Sequence, residues 1–227
     1  MPDQEDSLYE HLHPLTTIMK QHFVSNFSRH SLDSKRWESF GNTGHTVAMD
    51  DAVDGGLYLQ AGTSDNDYAG IGFGTTGSVG DDQAVRPFSH NSSKIIFVQK
   101  FSANGEYQAS ASGFDQKLRG DGLGAAESGA ILLTSVHNTS GKWVLRTGNG
   151  SSYSAYTYVT TSSMDTDWHT FSIECKPSSA VLTIDGVTEA TSTTTLPTAK
   201  MGVSFGIQSE GSATAKTNIS YCEAYNT

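Results

Sequence analysis

Asp165-Thr166-Asp167-Trp168-His169-Thr170-Phe171-Ser172-Ile173-Glu174-Cys175, followed by Lys176-Pro177-Ser178-Ser179 and then Ala180-Val181-Leu182-Thr183-Ile184-Asp185-Gly186, decides the fold. Phe171, Ile173 and Cys175 alternate with Thr170, Ser172 and Glu174, the period of a strand with one face in a core and one in water. Residues 176 to 179 make a polar turn, and Val181 to Ile184 make the returning strand. Asp185-Gly186 is a hairpin signal before Val187. Trp168, at the head of the first strand, is expected to cap the edge of the core.

The same grammar extends in both directions. Leu57, Leu59 and Ala61 alternate after Asp54-Gly55-Gly56, and Val203, Phe205 and Ile207 alternate within residues 202 to 208. Residues 94 to 101 read as an apolar strand buried on both faces, and residues 130 to 137 and 142 to 147 as a hairpin. Residues 218 to 225 read as a last strand, expected to pair near the first. Residues 75 to 89 and 115 to 128 read as long loops. About a dozen strands with no helix between them imply antiparallel sheets. The expected fold class is all-β, a two-sheet antiparallel sandwich over residues 22 to 227. A hydrophobic fraction of 36% with 10% aromatics suffices for one core, and a charged fraction of only 17% argues against disorder.

Residues 1 to 21 differ. Ser7-Leu8-Tyr9-Glu10 fits a capping box, and Leu8, Leu12, Leu15 and Met19 recur at helical spacing, interrupted by Pro14. This predicts a short amphipathic helical arm, serving either as a helix packed on its own sandwich or as a means of self-association or docking on a larger assembly. His11 and His13 are two apart and do not share a helix face.

A formal charge of -10, with 14 scattered Lys and Arg, argues against nucleic acid. No apolar run is long enough to insert in a bilayer. The start, Met1-Pro2-Asp3-Gln4-Glu5-Asp6, lacks the basic and apolar regions of a signal peptide. Cys175 and Cys222 both sit in strand-like stretches and could be neighbours; a disulfide and two buried thiols are the two readings.

The Trp168-His169 strand opening and the later Ile184-Asp185-Gly186 hairpin resemble those of the concanavalin A-like jelly rolls, particularly their laminin-G-like and pentraxin-like branch. A second stretch carries the same resemblance: Phe27, then Leu32-Asp33, then Trp37, an opening that starts the first strand and covers one end of the core. The resemblance implies a sandwich with loops at its rim, where relatives hold calcium through Asp and Asn oxygens. Asp65-Asn66-Asp67, and Asp50-Asp51 with Asp54, are the matching clusters; Asp65 and Asp67 are the metal candidates, and Ca2+ is the cofactor they would take.

The resemblance also implies chemistry to look for. The glycan-cleaving members carry Glu-x-Asp-x-x-Glu on one strand, placing acid and nucleophile on one face. That spacing is missing from the sequence, as are the Arg-rich, Gln-Ile-His and Tyr-x-x-Gly-x-Tyr strands of the alginate lyases. His169 is the histidine singled out for inspection, against a plain reading as a surface residue at a strand start. Sugar binding needs aromatic faces and hydrogen-bonding neighbours. Tyr153, Tyr156 and Tyr158 are the glycan-binding candidates, with Tyr156 and Tyr158 on one face; cross-strand packing is their other reading.

A fold used mostly outside cells, on a chain without an export signal, points to a virion component released by lysis. The expectation is a non-enzymatic structural protein at a virion surface, a capsid decoration, turret or fibre element, presenting a lectin-like head to host glycans. The alternatives are a secreted carbohydrate-binding lectin module, and a polysaccharide lyase or glycoside hydrolase with unfamiliar catalytic residues.

Overall fold

The computed structural model describes residues 22–27, 31–34, 36–50, 56–73, 87–101, 108–115, 128–135, 141–152, 159–209 and 214–227. The expected arm with Leu8, Leu12, Leu15 and Met19 lies outside these residues, as do Tyr153, Tyr156 and Tyr158. The described residues contain no helix and fifteen strands. In chain order these are β1 (His22–Asn26), β2 (Glu38–Gly41), β3 (Thr46–Met49), β4 (Leu57–Gln60), β5 (Tyr68–Phe73), β6 (Ser93–Phe101), β7 (Gln108–Asp115) and β8 (Ser128–Ser135). There follow β9 (Lys142–Asn149), β10 (Val159–Ser163), β11 (His169–Lys176), β12 (Ser179–Ile184), β13 (Val187–Ser192), β14 (Gly202–Ser209) and β15 (Lys216–Asn226).

They form two antiparallel sheets packed face to face. The eight-stranded sheet runs β13-β12-β11-β6-β15-β4-β3, with β1 also on β15; the seven-stranded sheet runs β10-β9-β8-β7-β14-β5-β2. Residues 169 to 192 form the β11–β12–β13 meander, its first pair registered from Phe171↔Ile184 to Lys176↔Ser179. Its second turn has Asp185 at φ 49 and Gly186 at φ 84, the pair of positive values that a type I′ turn requires. The last strand pairs with the first, His22↔Tyr225 to Asn26↔Tyr221, as expected.

The core lies between the sheets. Phe97 of β6 stacks on Phe171 of β11 at 5.3 Å and meets Phe205 of β14 edge-on at 5.4 Å, so one ring joins both layers. Truncating such a ring costs about 3–5 kcal/mol. At one end Trp37 packs on Phe23 and Phe27, at 5.3 and 5.4 Å, and its indole donates to Ser25 Oγ at 3.1 Å. This is the cover that the Phe27, Leu32-Asp33, Trp37 pattern predicted.

Two expectations need correction, those for β6 and Trp168, and of the two readings of the cysteines the buried thiols hold. β6 is buried on one face only: Ser93, Ile95, Phe97, Gln99 and Phe101 point inward, while Lys94, Ile96, Val98 and Lys100 are half-buried on the outside. A run of apolar residues hides this period, because Ile96 and Val98 occupy the middle of a broad sheet whose neighbouring side chains partly cover them. Trp168 does not cap the core. His169 takes the inward position, so alternation turns Trp168 outward, where Lys100 Nζ lies 5.1 Å from its ring centre. Cys175 and Cys222 are both buried and free, and they are not neighbours. Cys175 pairs with Ser93 and Cys222 with Phe97, on opposite sides of β6. Two strand spacings, about 10 Å, exceed the reach of a disulfide. Burial pushes the Cys175 thiol up to about 12 and that of Cys222 well above its usual value.

Polar latches close two places that packing leaves open. β10 and β13 are the edges of different sheets, and Glu189 of β13 joins them. Its carboxylate accepts from Thr161 N and Oγ1 at 2.8 and 2.6 Å, and from Ser162 N and Oγ at 3.2 and 2.6 Å. The hydroxyls of Ser162 and Thr161 hold it at about 2, against an ordinary 4.5. His169 forms the other latch. Its Nδ1 meets Asp185 Oδ2 at 2.6 Å and its Nε2 meets Asp165 Oδ1 at 2.8 Å. Asp185 Oδ1 also accepts from Thr170 N at 2.8 Å, so the β12–β13 turn is tied to the start of β11. Partial burial disfavours the imidazolium, but the hydrogen bonds and charges of Asp185 and Asp165 outweigh it and raise the His169 pKa above 6.5.

The two latches fail at opposite ends of the pH scale. A depressed carboxylate contributes stability above its unfolded pKa and loses it as pH falls. Glu189→Gln is therefore expected to lower Tm at pH 7, with the gap from the native chain closing between pH 4.5 and about 2. A raised imidazole contributes below its unfolded pKa and loses that contribution as pH rises through the folded one. His169→Gln should show its largest deficit in urea midpoint below pH 6.5 and a shrinking one above neutrality. Circular dichroism across pH reads both.

Candidate functional site

Because inward and outward residues alternate, the outer face of the seven-stranded sheet can be read row by row from its register. One row runs Glu38–Gly72–Ser204–Gly113–Ile131–Arg146 across β2, β5, β14, β7, β8 and β9. The next runs Phe40–Gly70–Gly206–Ala111–Leu133–Val144 across the same strands. Beyond it come Tyr68, Gln208 and Ala109. The middle of the face, on β5 and β14, therefore consists of Gly70, Gly72, Gly206 and Ser204, all buried. Larger side chains stand on either side.

On the β2–β5 side the wall is aromatic. The Phe40 and Tyr68 rings lie 6.4 Å apart at a tilt of 42°, both half-buried. Phe40 leans over Gly70, where a Cβ would come within 2.2 Å of Phe40 Cζ and 2.6 Å of the Phe205 carbonyl. Glycine is the residue that lets the ring lie down there. Next to Tyr68, Gln208 Nε2 donates to Asn66 Oδ1 at 2.8 Å, which fixes the amide at the rim. On the β8–β9 side stand Ile131, Val144 and Arg146, each at most 7% exposed. Gly70, Gly72, Ser204, Gly206, Ile131, Val144 and Arg146 are all buried, so what this face presents among the described residues is its β2–β5 side: the half-buried Phe40 and Tyr68 rings, the Gln208 amide and the exposed Glu38.

Among the described residues, the carboxylates on this face are Glu38 at its edge and Asp115 at the end of β7. Three strand spacings sideways and two residues along put their Cα atoms about 16 Å apart. Glycoside hydrolysis needs roughly 5–5.5 Å for a covalent mechanism or 6.5–9.5 Å for direct attack by water.

The sequence-derived candidates that lie among the described residues fall elsewhere. Asp67 uses both carboxylate oxygens on the protein, accepting from Asn42 Nδ2 at 2.8 Å and from Ser64 N at 2.9 Å. Asn66, at φ 64, carries the turn between them. Asp50 accepts from Asn218 Nδ2 at 3.3 Å, while Asp51 and Asp54 lie outside the described residues. Calcium takes six to eight oxygen ligands, and among the described residues no three His, Cys, Asp or Glu side chains converge. His169 points into the sandwich, its side chain 17% exposed, with both nitrogens committed to Asp165 and Asp185. Phe40, Tyr68, Ser204, Gln208 and Arg146 were not singled out from the sequence. The signal that could have found them is the spacing within Tyr68-Ala69-Gly70-Ile71-Gly72-Phe73: glycines at every second position strip one face of a strand whose other face is core.

No protein-family model matches the chain, and no curated protein sequence does. Solved structures do. A carbohydrate recognition domain, that of Emp46p in its potassium-bound form, aligns with a TM-score of 0.60 at 12% identity, over 88% of this chain and 94% of that one. The Bacillus licheniformis beta-glucanase aligns at 0.60 and 11%, over 91% and 98%. An endo-β-galactosidase from Clostridium perfringens that releases GlcNAcα1-4Gal aligns at 0.62 and 12%, over 94% and 63%. Against a sialidase the TM-score is 0.59 at 13% identity, and the chain spans 18% of that protein's length. At such identities the likeness is one of fold: the chain has the concanavalin A-like jelly roll shared by lectins and glucanases.

Proposed function

We propose that the outer face of the seven-stranded sheet binds an oligosaccharide without cleaving it. The observation that carries this reading is the pair of half-buried rings, Phe40 laid over Gly70 and Tyr68 beside it, with the Gln208 amide at the rim. Pyranose rings present C–H faces that stack on aromatics and hydroxyls that need amides and charged groups beside them. The half-buried Gln208 and the exposed Asn66 beside it supply amides, and Glu38 a charged group. The missing Glu-x-Asp-x-x-Glu pattern supports binding rather than hydrolysis, and the carbohydrate-recognition domains among the structural neighbours support the ligand class. In this reading residues 1 to 21 tether the sandwich to a larger assembly, a virus particle whose surface then carries a glycan-binding head.

A glycan array with the full chain, followed by calorimetry on the strongest ligand, tests the binding role. Each ring contributes about 1.4 kcal/mol of stacking, so Phe40→Ala and Tyr68→Ala are each expected to weaken Kd about tenfold. Trp168→Ala, on the other sheet, should leave it unchanged. No binding on the array, or binding indifferent to both ring deletions, would sink the proposal. The tether is checked separately: the native protein should co-sediment with virus particles, and removal of residues 1 to 21 should release it while glycan affinity stays.

A further inference from the structure

The core contains a row of polar groups that its own packing does not satisfy. Gln99 of β6 is fully buried and points inward. Its Nε2 donates to Thr217 Oγ1 at 2.8 Å, but its Oε1 accepts nothing. On the opposite sheet the hydroxyls of Ser110 and Ser112 and the indole nitrogen of Trp143 are also buried and make no hydrogen bond within the protein.

The strand registers bring these groups together. Gln99 is the Cα partner of His169, and the His169 ring lies 5.0 Å from that of Trp143, edge to face. Ser110 shares a row with Trp143, through Thr134 of β8 between them. One row further, Phe205 is the partner of Ser112, and its ring meets Phe97 of β6. The Gln99–His169 row therefore faces the Ser110–Trp143 row. Packed sheets sit about 10 Å apart, and a serine opposite a glutamine does not fill that distance.

The chemistry is complementary. Trp143 Nε1 can only donate, Gln99 Oε1 can only accept, and a serine hydroxyl does both. A buried indole N–H and amide oxygen left unmet each cost of the order of 1–3 kcal/mol. A water molecule that accepts from the indole and donates to the amide meets both, with a serine hydroxyl as a third partner. Such polar pockets hold water, whereas apolar ones stay dry. We infer that the core binds ordered water between Gln99 Oε1, Trp143 Nε1 and the Ser110 hydroxyl. This site is inside the sandwich and independent of the sugar-binding face.

Rotating-frame NMR on the full chain tests it, because cross-relaxation with bound water and chemical exchange give peaks of opposite sign. The Trp143 indole proton is expected to show a cross-relaxation peak at the water frequency. The Trp37 indole, bonded to Ser25 Oγ, serves as the control without one. Gln99→Met, close in volume and unable to anchor water, should reduce the Trp143 peak by at least half. Ser110→Ala, a smaller perturbation of folding, should reduce it too. Absence of the peak in the native chain overturns the inference, and so does a peak unchanged by both substitutions.

Discussion

The pairing of β6 with β15 is the constraint on which the rest of the molecule depends. These strands occupy the middle of the eight-stranded sheet, registered from Ser93↔Asn226 to Phe101↔Thr217. Every other strand of that sheet is placed relative to them: β11, β12 and β13 on one side, β4, β3 and β1 on the other. One irregularity in the register, between Ile219 and Tyr221, sets which side chains enter the core. Strict alternation from Ile219 would turn Tyr221 and Glu223 inward. The extra residue, Ser220, resets the phase, so Cys222 and Ala224 are buried while Tyr221 and Glu223 reach the outside. There the Tyr221 hydroxyl donates to Glu223 Oε2 at 2.9 Å and His22 Nε2 meets Glu223 Oε1 at 2.8 Å. A carboxylate forced into the core at that point would have no such partners.

With the middle fixed by register and by Phe97, the edges pose the remaining problem. Open sheet edges invite pairing with other chains. The Glu189 latch meets this with charge-assisted hydrogen bonds from β13 to Thr161 and Ser162 of β10, so the side of the sandwich is joined through a side chain instead of a backbone ladder. The His169 latch does similar work at a hairpin turn. Both are exposed enough for solvent to temper their strength, and both hold geometry that apolar packing does not reach.

Alternation carried most of the architecture into the sequence. Phe171, Ile173 and Cys175, and Val203, Phe205 and Ile207, announce their buried face because polar residues separate them. Asp185-Gly186 announces its turn because few residues tolerate two successive positive φ values. Where neighbours blur the alternation, the reading slipped: Ile96 and Val98 look like core in sequence and are the outside of a central strand. The bulge at Ser220 has no sequence signature, since its cause is the register of a partner more than a hundred residues away. The candidate face was harder to see for a related reason. Its residues come from β2, β5 and β14, so Phe40, Tyr68 and Gln208 never appear together in any window. Only the glycine spacing in β5 is local.

The position of β15 also bears on how the molecule is made. Its partners in β6 lie over a hundred residues earlier, and those in β1 nearly two hundred. The middle of the eight-stranded sheet therefore cannot close until the last strand has left the ribosome. Until then β6 presents one unpaired edge, and Phe97 and Ile95 lack part of their cover. Domains dominated by such distant pairings fold slowly. The nascent chain must keep a long apolar strand from foreign partners throughout synthesis, and Lys94 and Lys100, near its two ends, put charge on the strand during that interval.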